Sequence, residues 1–405
     1  MRELGEEVAH QSSPGFRRRS TDELSVSVVI PCLNEEETIE ACVERATAVL
    51  DREGIRGEVI VVDNGSEDRS AEIAHRAGAR VVNEPRRGYG SAYLTGLANA
   101  AARFVVMADA DLTYDFEEIP RFVERLESGA DLVIGDRMDN IAPGAMPWMH
   151  RYVGNPVLTG LLNLFFRTGV RDAHCGMRAV RREALPRLDL RTTGMEFASE
   201  MVVRAASEGL VIEELPIKYY TRRGSSKLSS FRDGWRHLRY LLVHSPRHLF
   251  IVPGAVLLGL GLLVWIPVLA GINILGRHWD VHTLIAGSLL MVVGAQVSAL
   301  GICAQAYATY YMNLRDTWFD ALRSRFRLEQ GLMLGGLVFL AGLVLCAIIV
   351  IRWAERGFGD LAEEKLALVD ATLVILGVQI FFASFLLSIL GLRRRETAGG
   401  LSQPE

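Results

Sequence analysis

Long uncharged stretches in the second part of the chain constrain its fold most strongly. Four stretches after residue 248 contain no Asp, Glu, Lys, Arg or His: 249–276, 283–314, 331–351 and 371–392. A helix that crosses a bilayer needs about 20 predominantly apolar residues, and each stretch provides them. Four buried helices of a soluble core would leave little surface to solvate, so that alternative is unfavourable. We therefore predict four transmembrane helices, at about 249–272, 283–310, 331–352 and 371–392.

Basic residues are unevenly distributed over the connections between these stretches. Residues 222–247 carry seven Lys or Arg and one acid, Asp233. The 312–330 loop adds four arginines, and the tail at 393–405 begins with three more. Because Lys and Arg accumulate in cytoplasmic loops, we expect both termini and the first half of the chain to face the cytoplasm. The expected location is the plasma (inner) membrane or its equivalent.

The first half of the chain consists of short apolar runs separated by helical patterns. The runs are "SVSVVI" (25–30), "EVIVVD" (58–63), "ARVVN" (79–83), "FVVMAD" (104–109) and "DLVIGD" (131–136). Alternating strands and helices predict an α/β fold with a mostly parallel, doubly wound sheet, here over residues 25–227. In such sheets ligands bind outside the carboxyl ends of the strands. The charged and polar residues that follow these runs are therefore candidate site residues.

Composition excludes several other classes of protein. The net charge of −4 is small and dispersed, so nothing favours nucleic acid as a partner. The five cysteines are far apart and form no CxxC pair, so neither a disulfide framework nor a zinc site is expected. Residues 1–24 are charged and Ser-rich, without an apolar segment of the secretory type, and they predict a disordered arm.

The fourth apolar run ends in a pair of aspartates, Asp109 and Asp111. Side chains of a strand repeat every two residues, so both carboxylates are expected on one side of the backbone. Two hard oxygen ligands at this spacing suit Mg²⁺ or Mn²⁺, with the remaining ligands supplied by water and a substrate phosphate. A solvated turn is the alternative interpretation of an isolated Asp-x-Asp.

The combined motifs resemble those of a known family. They include "VSVVIPCLNEEETI", "VIVVDNGSEDRSAEIA", "RRGYGSAYLTGLANA", "VVMADADL", "VIGDRM", "DAHCGMRAVRREAL" and "RRGSSKL". Together they resemble the family 2 glycosyltransferases with a GT-A fold. Within that family they are similar to the polyprenyl-phosphate branch, typified by dolichol-phosphate mannosyltransferase and lipid-phosphate glucosyltransferases. The resemblance covers roughly residues 25–245.

The resemblance implies roles for individual residues on the donor side. A nucleotide sugar, GDP-mannose or UDP-glucose, would bind beside Asp109, which would face the ribose and the metal, and Asp111 would be a direct metal ligand. Asp172 would lie near the donor. Family members often carry Gln or Ser where this chain has Thr113. The nucleotide pocket would be lined by Pro31, Asn34, Glu35 and Asp63, with Gly88 and Gly90 in a following loop.

Basic residues provide a second group of candidates, for an anionic acceptor. A phosphate monoester is largely dianionic near neutral pH, because its second pKa is about 6, and it can attack an anomeric carbon without a general base. It requires cations, and guanidinium groups match phosphate oxygens in a bidentate manner. The candidates are Arg137 and Arg178 near the reacting groups, and Arg151, Arg222 and Lys227 for the acceptor phosphate. Structural anchoring by Arg178 and membrane-surface roles for Arg222 and Lys227 are the alternatives.

Residues 228–247 predict an amphipathic helix that lies in the membrane interface. Its apolar stripe recurs every three or four residues and is followed directly by the first predicted span. The stripe consists of Leu228, Phe231, Trp235, Leu238 and Leu242.

The hypothesis that unites these features is a membrane-anchored, metal-dependent, inverting hexosyltransferase that uses a polyprenyl or dolichyl phosphate as acceptor. The transmembrane helices contain small residues that permit helix association, so a homo-oligomer is possible. One alternative is a processive polysaccharide glycosyltransferase. Such enzymes resemble one another in carrying a QxxRW motif, and that motif is missing from this sequence. Another is a non-enzymatic membrane scaffold with a decayed transferase domain.

Overall fold

The computed structural model of the chain describes residues 24–224, 230–272, 280–311, 317–325, 328–358 and 363–399. These residues form two compact units, and the chain passes between them several times. The sheet unit comprises Met1–Ala145, Cys175–Pro186 and Glu213–Ser226. The helical unit comprises Met146–His174, Arg187–Ile212 and Lys227–Glu405. Most of the predicted N-terminal arm lies outside the described residues, and so does Lys227.

The described part of the sheet unit is built on a seven-stranded sheet with the order β3-β2-β1-β4-β6-β5-β7. Strand β1 runs parallel to β2 and β4, and β2 runs parallel to β3. Strand β6 lies between β4 and β5 and is antiparallel to both. The strands are β1 (Val26–Cys32), β2 (Gly57–Asp63), β3 (Arg80–Asn83), β4 (Phe104–Met107), β5 (Leu132–Asp136), β6 (Arg178–Arg181) and β7 (Ile212–Pro216).

Helices cover the sheet and bury its central strands. Val28, Val29 and Ile30 of β1 have no exposed surface, as expected of a parallel strand covered on both faces. A Cβ atom added at Gly96 would overlap a methyl group of Val29, so a glycine permits this close approach to β1. The helices are α1 (Ile39–Arg52), α2 (Ser70–Arg76), α3 (Tyr89–Asn99) and α4 (Ile119–Glu127).

The predicted α/β fold class is confirmed. The five predicted apolar runs correspond to β1–β5. Two strands were not predicted, β6 and β7. The antiparallel insertion of β6 explains why β4 and β5, which are consecutive in the sequence, are not neighbours in the sheet.

The helical unit begins with helices that carry polar as well as apolar residues. Helix α5 follows a π-helical turn at His150–Gly154, and it packs against α7 and α8. The predicted amphipathic helix is present as α8. The bounds are α5 (Asn155–Phe166), α6 (Leu185–Leu188, at the border of the two units), α7 (Phe197–Ser207) and α8 (Ser230–Val243).

Four helices of the described helical unit are long and apolar enough to cross a membrane, and they span Arg247–Leu269, Val281–Tyr311, Leu328–Glu355 and Glu364–Leu390. They overlap the four predicted spans, so an integral membrane protein is confirmed. The last helix continues into the predicted tail as far as Gly399. The elements are α9 (Val252–Leu269), α10 (Val281–Tyr311), the short α11 (Thr317–Arg325), α12 (Leu328–Glu355) and α13 (Glu364–Gly399).

Glycines allow the membrane-spanning helices to approach closely. A Cβ atom at Gly294 of α10 would lie 2.5 Å from the backbone nitrogen of Leu258 in α9. A Cβ atom at Gly335 of α12 would lie 2.7 Å from the backbone nitrogen of Phe381 in α13. In a bilayer, such close contacts provide the van der Waals packing that holds helices together.

Candidate active site

The loops that follow β1 and β2 are joined by hydrogen bonds at the carboxyl edge of the sheet. Asn34, whose φ is +51°, donates its backbone N–H to the Ser66 hydroxyl at 3.0 Å. Its side-chain oxygen accepts the N–H of Glu67 at 2.7 Å. The N–H of Glu35 donates to the Ser70 hydroxyl at 2.8 Å. The predicted pocket residues Asn34 and Glu35 therefore lie in one hydrogen-bonded wall built from two loops.

The last residues of β1 and β2 complete this wall. Pro31 lies within β1, opposite Val62 of β2 in the sheet register. Asp63 ends β2, and its carboxylate accepts the N–H of Ser66 at 3.1 Å. Both predicted residues are at the edge where ligands of parallel sheets bind.

A buried asparagine that sequence reasoning missed holds the next loop. The Asn64 side chain donates to the carbonyls of Glu84 and Arg86 at 3.0 and 2.8 Å, and accepts the N–H of Gly88 at 2.7 Å. Gly88 has φ of +151°, a conformation that favours glycine, and α3 begins at the next residue. Gly90 is buried in the first turn of α3. The Asn-Gly pair in "VDNGS" was the available signal.

Glu84 forms an ion pair with Arg86 in this loop. Its carboxylate accepts hydrogen bonds from the backbone and guanidinium of Arg86, at 2.8 and 3.1 Å, and from the Thr95 hydroxyl. The Arg86 side chain, then Thr95, lowers the pKa of Glu84 to about 2. The carboxylate is therefore ionised over the whole physiological pH range.

Asp109 lies two residues beyond the end of β4, so a turn rather than the alternation of a strand positions it. Its Oδ1 accepts the hydroxyls of Tyr89 at 3.1 Å and Tyr93 at 3.4 Å. Within the described residues, its Oδ2 accepts no hydrogen bond. Burial, followed by the charge of Asp111, raises the pKa of Asp109 to about 6. This is a carboxylate whose negative charge is only partly compensated.

Asp111 is 2% exposed and has partners on both oxygens. Its Oδ2 accepts a hydrogen bond from Nε of Arg222 at 2.6 Å. The same oxygen lies 2.5 Å from Nη2 of that guanidinium. Its Oδ1 accepts the N–H of Thr113 at 3.1 Å and the Thr113 hydroxyl at 2.5 Å. Thr113, the residue that departs from the family pattern, thus orients Asp111. The structure brings together Asp111 and Arg222, which are 111 positions apart in the sequence.

Arg137 is held by two tyrosines that sequence reasoning missed. Its Nη1 donates to the Tyr114 hydroxyl at 3.3 Å, and its guanidinium lies 5.0 Å from the ring centroid of Tyr219. The Tyr114 hydroxyl also accepts the N–H of Gly176 at 2.7 Å. Burial raises the pKa of Tyr114 well above its usual value, although the charge of Arg137 opposes this. The phenol therefore remains protonated and orients a cation.

The other predicted residues have different surroundings. Arg178 is buried on β6 and donates Nε to the carbonyl of Cys175 at 2.7 Å. Arg151 and Asp172 belong to the helical unit. The guanidinium of Arg151 lies 5.3 Å from the Tyr152 ring centroid, and Asp172 is completely buried.

The donor set of the sheet unit fits a divalent cation of the Mg²⁺ type. Asp109 presents an oxygen without a hydrogen-bond donor and has a raised pKa, two signs of a carboxylate that a cation would stabilise. Among the described residues no group of three or more His, Cys, Asp or Glu could hold a metal. The protein would therefore supply the two carboxylates, and phosphate and water oxygens the remaining ligands, as is usual for Mg²⁺.

The helical unit has an exposed apolar surface that includes a helix missed in the sequence. Trp148 is 67% exposed, and the other exposed apolar side chains before and within the π-helical turn and α5 are Met149, Tyr152, Val153, Val157 and Leu164. On α8, which packs against α5, Phe231 is 90% exposed and Trp235 is 54% exposed. His237, Tyr240 and Leu241 form the buried side of α8. The described part of the predicted stripe thus includes exposed residues, as an interfacial helix requires.

Comparison with known proteins identifies similar sequences over most of the chain. The family model described as glycosyl transferase family 2 matches residues 27–188. The model described as glycosyltransferase family 2 C-terminal transmembrane region matches residues 302–391.

Three relatives from two organisms are similar to this chain. A low-salt glycan biosynthesis hexosyltransferase, Agl6, of Haloferax volcanii is 41% identical, over 91% of this chain and 89% of that relative. A dolichyl-phosphate hexose transferase of the same organism is 36% identical, over 52% of this chain and 89% of that relative. An undecaprenyl-phosphate 4-deoxy-4-formamido-L-arabinose transferase of Edwardsiella ictaluri is 31% identical, over 72% of this chain and 90% of that relative.

Proposed function

Because this chain belongs to glycosyltransferase family 2, we propose that it transfers a hexose, mannose or glucose, from a GDP- or UDP-sugar to a polyprenyl or dolichyl phosphate. Relatives named for dolichyl-phosphate and undecaprenyl-phosphate substrates support a lipid phosphate as the acceptor. The observation that carries the proposal is the direct contact of Asp111 with Arg222. It joins a candidate ligand of the donor's metal to a candidate ligand of the acceptor's phosphate.

The donor binds along the wall formed by the loops after β1, β2 and β3. Asn34, Glu35 and Asp63 lie in that wall, and Gly88 and Gly90 approach it at the start of α3. Hydrogen bonds between these loops fix the wall before the nucleotide arrives, which lowers the ordering cost of binding.

Asp109 and Asp111 would hold the divalent ion. When bound, Mg²⁺ or Mn²⁺ supplies positive charge that stabilises the departing nucleoside diphosphate. Tyr89 orients Asp109, and Thr113 orients Asp111.

The basic residues bind the acceptor and steady its charge. A lipid phosphate is largely dianionic near neutral pH, so no protein base has to remove a proton from it. Arg137, positioned by Tyr114, and Arg222 provide guanidinium groups on the sheet unit. Arg151 and Lys227 are assigned to the acceptor phosphate as well, and Arg178 and Asp172 to the surroundings of the reacting sugar. A single displacement by the phosphate inverts the anomeric configuration.

We assign residues 25–227 to the catalytic domain, 228–247 to an interfacial helix, 248–392 to the membrane region and 393–405 to a cytosolic tail. We assign the catalytic domain and both termini to the cytoplasmic side, and the arginine-rich connections support this assignment. The apolar surface of α5 and α8 contacts the headgroup region, where the acceptor phosphate is located. Association through the transmembrane helices would give a homo-oligomer.

Parallel incubation with labelled GDP-mannose and UDP-glucose tests the proposal. Membranes that contain the protein receive each donor together with Mn²⁺, and the lipid fraction is then extracted. We expect label from one donor in a mild-acid-labile lipid, and no label with Asp111→Asn, which keeps the shape of the side chain. Label in a growing polymer would instead indicate a processive enzyme. Full transfer by Asp111→Asn would contradict the metal assignment.

A further inference from the structure

Both oxygens of the Asp111 carboxylate already have donors. A carboxylate offers about four lone-pair sites, two on each oxygen. Oδ1 accepts the N–H and the hydroxyl of Thr113, at 3.1 and 2.5 Å. Oδ2 has Nε and Nη2 of Arg222 at 2.6 and 2.5 Å. A cation that takes Oδ2 as a ligand must therefore compete with the Arg222 guanidinium.

The two donors differ in how easily they can leave. Thr113 is completely buried, and its N–H belongs to the turn that contains Asp111 itself. The Arg222 side chain is 28% exposed. A long side chain that already reaches solvent can exchange a carboxylate for another anion at small cost, whereas a buried N–H that loses its acceptor is strongly unfavourable. The oxygen released first is therefore Oδ2, and the group that moves is Arg222.

The backbone around Arg222 is attached on both sides of this contact. The N–H of Tyr220 donates to the carbonyl of Thr113 at 2.9 Å, and the N–H of Arg223 donates to the carbonyl of Asp111 at 3.2 Å. Arg222 lies between these two anchors. Its guanidinium can therefore leave Oδ2 by side-chain rotation, while its Cα atom stays beside the candidate metal ligands.

We propose that Arg222 is an internal counter-ion that occupies the cation position of Asp111 until the divalent ion and nucleotide sugar bind, and that it then turns to the acceptor phosphate. This inference rests on the proposed function. It gives Arg222 two alternative anionic partners, the Asp111 carboxylate and the acceptor phosphate. The donor complex then creates the acceptor site, so tight binding of the lipid phosphate follows donor binding.

Titration of the purified full-length protein with Mn²⁺, followed by electron paramagnetic resonance of the free ion, tests the first part. Arg222→Gln removes the competitor of the ion, and Arg223→Gln removes one exposed positive charge from the adjacent position. A competing charge-assisted hydrogen bond is worth enough to weaken binding about tenfold or more. We expect Arg222→Gln to bind Mn²⁺ about tenfold more tightly than Arg223→Gln, which should resemble the wild type.

The second part is tested by binding of a short-chain polyprenyl phosphate, measured with and without Mn²⁺ and a nucleoside diphosphate. We expect these ligands to increase the affinity of the wild type and of Arg223→Gln for the lipid, but not that of Arg222→Gln. Arg222→Lys keeps the charge without the paired donors and should lie between them in Mn²⁺ affinity. Arg222→Lys also replaces Arg222→Gln in both measurements if Arg222→Gln does not fold.

The outcomes separate this inference from the function on which it rests. Wild-type protein that binds no Mn²⁺, even with nucleotide, overturns the metal assignment in the proposed function. Wild-type protein that binds Mn²⁺ as tightly as Arg222→Gln and Arg222→Lys overturns only the counter-ion role. Lipid phosphate binding that is independent of Mn²⁺ and nucleotide in the wild type overturns the binding order.

Discussion

The substitution Gly176→Ala is expected to reduce sugar transfer strongly while the protein remains folded. An added Cβ atom would lie 2.5 Å from Oδ2 of Asp109 and 3.0 Å from the Tyr114 hydroxyl, whereas ordinary contacts begin at 3.4 Å. The Asp109 oxygen must therefore move by roughly 1 Å, and a displacement of that size among reacting groups costs on the order of 100-fold in rate. Overpacking of this kind costs about 1–3 kcal/mol in stability, which a folded protein tolerates.

The assay is the initial rate of labelled lipid formation by purified protein, together with its thermal unfolding curve. Gly160→Ala in α5 is the matched control, because a Cβ atom at that position meets nothing within 4 Å. We expect the control to retain the wild-type rate and Gly176→Ala to lose most of it, with a modest decrease in Tm. A Gly176→Ala protein as active as Gly160→Ala would refute the view that Oδ2 of Asp109 is a ligand whose position matters.

Three further substitutions test other parts of the structure. Gly335→Ala should lower Tm in detergent because its Cβ atom would lie 2.7 Å from the backbone of α13. Gly336→Ala is the control, because its Cβ atom would meet nothing within 4 Å and Tm should stay unchanged. Equal Tm values for the two variants would contradict this packing. Glu84 has a pKa of about 2, so its stabilising contribution is present above about pH 4.5 and is lost as pH falls toward 2. The Tm difference between wild type and Glu84→Gln should therefore narrow over that range. A constant difference would contradict a lowered pKa of Glu84. Tyr114→Phe leaves a buried N–H without its acceptor, at about 1–3 kcal/mol, and should raise KM for the lipid acceptor more than KM for the donor, measured in steady-state assays.

Patterns that are local in the sequence predicted most of the fold. The runs that became β1, β4 and β5 are apolar because those strands are almost completely buried, and the transmembrane helices follow from their lack of charge. Strand β6 was missed because its sequence, "RAVR", is short and half arginine. Its Arg181 is stabilised by the carbonyl of Ala130 at 2.8 Å, a contact between residues 51 positions apart. No pattern within the strand encodes that partner.

The candidate site was predictable in its residue types but not in its contacts. Asp109, Asp111 and Arg222 were identified from motifs, yet their pairing depends on how residues 217–223 return to the sheet. Tyr114 was overlooked although it stands three residues after Asp111, because a tyrosine in a turn has no distinctive pattern. Hydrogen-bond partners of this kind follow from tertiary structure alone.

The place of β6 in the sheet has a consequence for biosynthesis. Strands β4 and β5 leave the ribosome early, but both neighbours of β5 in the sheet, β6 and β7, are synthesised later. By then α5, with its outward-facing apolar side chains, has already been made. The nascent chain must therefore expose an incomplete sheet and an apolar helix at the same time. Early delivery to the membrane would protect both from aggregation.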